Sequence, residues 1–199
     1  MPIDRRDPAA RTQSRGPCHL YVFPCAYEDL LKLGFSRDPL SRLRQLHPRW
    51  FAFFDLDRAI AIETESVPDA RRIELAWRRQ FAEHNAPAPL TVREEAGGAR
   101  EWYRGAQSAL AEAAETLRAN GHVVHAPLRP WLREALSKRT ELLYAWTSVM
   151  LDVDDLESTQ ANTPASRTVR DALDACIALD LDIAPCLPEA VLRWHRALR

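Results

Sequence analysis

Two segments decide the fold: His19-Leu20-Tyr21-Val22-Phe23-Pro24 and, after a short polar loop, Leu31-Lys32-Leu33-Gly34-Phe35-Ser36. The first is β-branched and aromatic, and Pro24 ends it, which reads as a strand. The second is an apolar-alternating run. Gly34 inside it points to a bulge or to another group approaching the backbone closely. The loop between them, with Tyr27 and Asp29, is short enough for the two runs to form an antiparallel hairpin.

Outward from the hairpin, Asp38 followed by Pro39 supplies an N-cap and a first helical position. Leu40, Leu43 and Leu46 continue at helical spacing until Pro48, with Arg42 and Arg44 on the other side. Residues 56–64 alternate loosely and predict a third strand. A longer helix is expected over 69–83, with Ile73, Trp77 and Phe81 on one stripe. A Pro- and Gly-containing loop (86–98) leads to a short apolar-tipped segment at 100–103. A helix over 106–119 is then stopped by Asn120 and Gly121. After a Pro-bounded linker at 127–130 the pattern is helical, over 131–149, 168–181 and 188–198, with a polar break at 152–165. The order β-β-α-β-α predicts an α+β domain with a small antiparallel or mixed three-stranded sheet flanked by helices, plus an all-helical C-terminal extension. The expected organisation is a flexible N-terminal arm (1–17), a domain over 18–125 and the extension over 126–199.

Composition narrows the function classes. The 199 residues are 46% hydrophobic and carry a net charge of -1. The charge is spread evenly, without a basic or acidic tail, so any nucleic-acid contact must use a local patch. No run of about 18 apolar residues exists, which argues against a membrane span. The apolar stretch at 20–26 is too short for a signal-peptide core. A cytoplasmic protein is expected. The four cysteines form no CxxC pair and the six histidines no HExxH pair, so no structural metal is expected. The acidic run Asp152, Asp154, Asp155 and Glu157 lacks the spacing of a calcium loop and reads as solvated. No Gly-rich phosphate loop is present, so a nucleotide cofactor is not expected.

Tyr21, Lys32, Arg42 and Glu74 draw notice by chemistry, although each has an ordinary structural explanation. Tyr21 suits half-buried packing in a strand. Lys32 suits an exposed sheet edge. Arg42 suits a solvated helix face, and Glu74 an i,i+4 pair with Arg78. Trp102 reads as a core residue and Glu101 as the local partner of an arginine.

Taken together, their order resembles the GIY-YIG nuclease superfamily. His19-Leu20-Tyr21 stands at the first motif and Lys32-Leu33-Gly34 at the second. Arg42 lies eight residues after Gly34, and Glu74 sits on the helix after the third strand. Arg100-Glu101-Trp102-Tyr103 is similar to the E-W-F signature of the bacteriophage T5 open-reading-frame-172-type branch, often described as a DNA-binding domain. That branch also carries K-I-G at the second motif. The resemblance covers 18–120 and leaves the helical part untouched.

The resemblance implies hydrolysis of DNA phosphodiesters with one divalent ion, Mg²⁺ or Mn²⁺. Glu74 would be its carboxylate ligand, since such hard cations prefer oxygen. Arg42 would neutralise charge on the phosphate, and Tyr21 would position or deprotonate the attacking water. Lys32, Arg37 and Arg44 would contact the substrate. The rival expectations are a DNA-binding module that keeps the fold without catalysis, and a protein-interaction domain. For the latter, Trp131, Leu136, Leu142, Trp146 and Met150 offer a surface for a homodimer partner or another protein, beside the simpler outcome that they pack on themselves.

Overall fold

The structure is a computed structural model and describes residues 15–92, 101–152 and 163–198. These residues fall into two compact units. One runs up to His47 and resumes over Phe54–Leu128; the other holds Pro48–Phe53 and the chain from Arg129 onward.

The first unit is built on the hairpin. Strand β1 spans Arg15–Pro24 and β2 spans Leu31–Ser36. They pair antiparallel with Tyr21 opposite Gly34 and Phe23 opposite Lys32. Cys25 N–H donates to the Leu30 carbonyl at 2.8 Å and closes the turn. Helix α1 (Pro39–Leu46) follows. Its Asp38 cap accepts from the Ser41 N–H at 3.0 Å, and Leu40, Leu43 and Leu46 are buried as their spacing required. Strand β3 (Ile60–Ser66) pairs with the other side of β1. It begins later than its sequence suggested, because the Asp55 carboxylate accepts from the N–H groups of Asp57 and Arg58 and holds a turn there. Helix α3 (Val67–Gln80) begins earlier than expected, since Ser66 is its cap and Pro68 fits its first turn. The one-turn helix between these, α2 (Trp50–Phe53), belongs to the second unit.

Among the described residues, the expected three-stranded sheet is a six-stranded one, antiparallel throughout. Its order is β4-β5-β2-β1-β3-β6, where β4 is Asn85–Ala86, β5 is Trp102–Tyr103 and β6 is Val124–His125. Each added strand has two residues. A segment that short carries no readable alternation, and its pairing is set by what packing lays along the sheet edge.

Paired residues share a face and neighbours along a strand change face. Leu20, Val22, Leu31, Leu33, Ile60 and Ile62 therefore fall on one side. With Trp77 and Phe81 from the α3 side, and with Leu110 and Ala114 of α4 (Gln107–Ala119), they form the core. Tyr21, Phe23, Lys32 and Gly34 take the other side.

In the second unit the single helix expected over 131–149 is broken. Helix α5 (Arg129–Ser137) stops, a 3-10 turn spans Thr140–Leu142, and α6 (Leu143–Met150) resumes. The Ser137 hydroxyl donates to the Glu134 carbonyl and the Thr140 hydroxyl to the Ser137 carbonyl, each at 2.8 Å, which competes with the helical ladder. Helices α7 (Pro164–Ala178) and α8 (Glu189–Ala197) complete the unit around Val169, Leu173, Cys176 and Val191. Arg49 donates to both Asp171 and Asp174 at 2.9 Å, tying the 48–53 segment to α7. Among the described residues, no helix is long and apolar enough to cross a membrane. Residues 1–14 of the expected arm, and all of the acidic run except Asp152, lie outside the described residues; 15–17 open β1.

Candidate active site

Gly34 makes the site possible. A Cβ there would stand 2.6 Å from the Tyr21 hydroxyl oxygen and 2.9 Å from Cζ. The glycine anticipated for close approach is thus the floor on which the Tyr21 ring lies. Phe23 stacks beside that ring at 4.0 Å between centroids and 6° between planes.

The Asp38 cap fixes the start of α1, and three residues into the helix Arg42 turns back to the sheet. Its Nε donates to the Tyr21 hydroxyl oxygen at 3.2 Å. Tyr21 is only 1% exposed. Burial pushes its phenol up to about 12, against the opposing pull of Arg42.

Lys32 is not an edge lysine. Strand β2 lies between β1 and β5, and Lys32 is 0% exposed. Its Nζ donates to Glu101 Oε2 at 2.7 Å and stands 5.3 Å from the Trp102 ring centroid. Burial lowers the pKa of the ammonium, while Glu101 acts to hold its charge. Among the described residues, Glu101 pairs with Lys32 and not with the nearby arginine expected. Its partner is 69 residues away, because a fully buried ammonium beside Trp102 requires a counter-charge.

Glu74 projects from α3 and is buried. The expected i,i+4 pair with Arg78 forms at 3.5 Å. Burial raises the carboxyl of Glu74, Arg78 opposes this, and Glu101 adds to it. Glu74 also lies within electrostatic reach of Tyr21 and Lys32. Tyr103 is raised by burial and hydrogen-bonded by Arg78.

Arg42 thus bonds Tyr21, Lys32 pairs with Glu101, and Arg78 contacts Glu74 and Tyr103, while Glu74 and Glu101 act electrostatically on Tyr21, Lys32 and Tyr103. Arg37 and Arg44 lie on the exposed surface, just before α1 and on it. On the Tyr21 side of the sheet, His19 is paired with Glu63, whose Oε1 contacts His125 Nε2 at 2.8 Å. Among the described residues, no group of three or more His, Cys, Asp and Glu is arranged to hold a metal ion. The signal that could have found Glu101 was Lys32 itself, a charge between two leucines in a strand.

The T5orf172 domain matches residues 19–119. The chain belongs to the T5orf172 domain family. That family is related to the GIY-YIG nucleases, and the match spans both the hairpin and the Glu101-Trp102-Tyr103 segment. In this T5orf172 domain the lysine of the second motif and the glutamate of the late motif are two ends of one ion pair. No curated protein matches the chain, and no solved structure does.

Proposed function

We propose that this T5orf172 domain hydrolyses phosphodiester bonds of DNA with the help of one divalent cation. The observation that carries this reading is the 3.2 Å hydrogen bond that joins Arg42 to Tyr21, with Glu74 near enough to act on the phenol electrostatically.

The donor set fits a cation that arrives with its substrate. Glu74 offers hard carboxylate oxygen, and Mg²⁺ commonly takes one or two carboxylates, substrate phosphate and several waters. The ion would supply Lewis-acid polarisation of the phosphate, or its place would be taken by Mn²⁺.

The chain's own residues do the rest. Arg42 is half-buried and anchored by its Nε, so its charge is presented to the phosphate in a fixed orientation as negative charge builds there. The Tyr21 phenol, raised to about 12, keeps its proton at neutral pH and acts as a donor that orients water or a phosphate oxygen. Lys32, fully buried, holds Glu101 in place rather than meeting the substrate. Arg37 and Arg44, on the exposed surface, would contact the DNA backbone.

A second reading is a DNA-binding module without catalysis. It is favoured by the burial of the machinery, since Tyr21 and Glu74 are 1% and 4% exposed. Plasmid nicking with Mg²⁺ or Mn²⁺ tests the choice. Cation-dependent nicking, lost in Arg42→Ala and Glu74→Gln, supports the nuclease. A salt-sensitive gel shift without any nicking supports the module.

A further inference from the structure

We infer that Glu101 is a catalytic residue of this domain, the carboxylate that takes the proton from the water attacking the phosphodiester, with Lys32 as the residue that positions it. The inference rests on the hydrolytic reading above.

The proton acceptor for the attacking water is sought in the group of the cluster that solvent reaches most freely. Within the cluster, Tyr21 and Lys32 have almost no exposed surface and the Glu74 side chain has 6%. The Glu101 side chain is 31% exposed, and it stands within electrostatic reach of Tyr21 and Glu74. The tyrosine is poorly suited to the role. With its phenol at about 12, only about one molecule in 10⁵ is ionised at pH 7.

Glu101 also has the support a catalytic base needs. Its Oε2 accepts from Lys32 Nζ at 2.7 Å, and Lys32 is fixed in the core beside Trp102. One oxygen is thereby anchored, which restrains the carboxylate as a whole. A base oriented by a third group is the recurring arrangement for activating a nucleophile. This also gives the second-motif lysine a task that its burial permits.

In the step, the water oxygen forms a bond to phosphorus while its proton passes to Glu101. The bond from phosphorus to the leaving sugar oxygen breaks, and that oxygen takes a proton from solvent. Glu101 then releases its proton to solvent, and no electrons are exchanged with any co-reactant.

The test uses the full chain, a supercoiled plasmid and Mg²⁺, with DNA affinity measured separately by gel shift in EDTA. Glu101→Gln is expected to lower kcat by about a hundredfold or more, with KM and DNA affinity within about threefold. Added formate is expected to restore part of the turnover of Glu101→Ala, a rescue that a purely structural role would not produce. Because Glu101→Gln removes the carboxylate bound to a buried ammonium, Lys32→Met/Glu101→Gln serves as the folded control and is expected to stay inactive.

Wild-type turnover in Glu101→Gln or in the double variant, a loss confined to KM, or no formate rescue would overturn the role of Glu101 while leaving the nuclease reading intact. An unmodified chain that never nicks DNA would remove the hydrolytic reading itself, and this inference with it.

Discussion

The Tyr21 ring lies directly over Gly34, so that a single methyl on the glycine would come within 2.6 Å of the phenol oxygen. Hydrogen is the only side chain this position accepts while the tyrosine keeps its place. Gly34→Ala should therefore lower stability by about 1–3 kcal/mol through overpacking, measured by urea denaturation. It should also displace Tyr21 from Arg42 and lower any nicking rate. Adding Tyr21→Phe removes the closest atom and should recover part of the stability. If Gly34→Ala is as stable as the parent, the ring does not lie where it is described.

The Lys32–Glu101 pair should respond asymmetrically. Losing Glu101 leaves a fully buried ammonium, whereas losing Lys32 leaves a carboxylate that still touches solvent. Glu101→Gln should cost about 3–5 kcal/mol, and Lys32→Met clearly less. The double variant should be more stable than Glu101→Gln alone. Denaturation of all four proteins closes the cycle, and additive losses would mean that the two charges do not interact.

Glu74 should trade stability for function. Its carboxyl is raised by burial, with Arg78 opposing, so folding disfavours the charged form. That penalty is fully present above the folded pKa and fades as pH falls through it. Glu74→Gln should melt no lower than the parent at pH 7 while abolishing cation-dependent nicking. A large drop in Tm would show that the Arg78 pair outweighs the burial.

The rate should not track ionisation of Tyr21. A phenol base at about 12 would make the rate rise tenfold per pH unit between 7 and 9. With Tyr21 as a donor, the rate over that window should be nearly flat, and Tyr21→Phe should retain measurable turnover. A slope of one in a log rate–pH plot would restore the tyrosine as base.

The second unit should weaken in acid. Burial alone would raise the carboxyl of Asp174, but hydrogen bonds from His195 at 2.8 Å and Arg49 at 2.9 Å outweigh it and hold it low. A depressed carboxyl contributes stability above its unfolded pKa of about 3.9 and loses it as pH falls through the folded value. Asp174→Asn should cost about 1–3 kcal/mol at pH 7, and the difference from the parent should shrink on acidification below about pH 4. A constant difference down to pH 2 would rule out this linkage.

Much of the fold was written in local signals. The run at 31–36, the Asp38 cap and the 40/43/46 leucine stripe each depend on neighbours a few residues away, and they stand where those signals put them. The break after Ser137 was harder to see, because the apolar positions on either side keep helical spacing while hydroxyls take the carbonyls. The third strand and the third helix were legible in kind and displaced at their ends, where a turn at Asp55 and a cap at Ser66 decide the boundary.

What the sequence determined by itself was the hairpin, the helix order and the resemblance that named Tyr21, Arg42 and Glu74, because periodicity, caps and motif spacing are properties of adjacent residues. What only the tertiary structure decided was the six-stranded sheet, the burial of Lys32 and its bond to Glu101. Two-residue strands have no period of their own, and a charge finds its partner across 69 residues only after the sheet has closed around it.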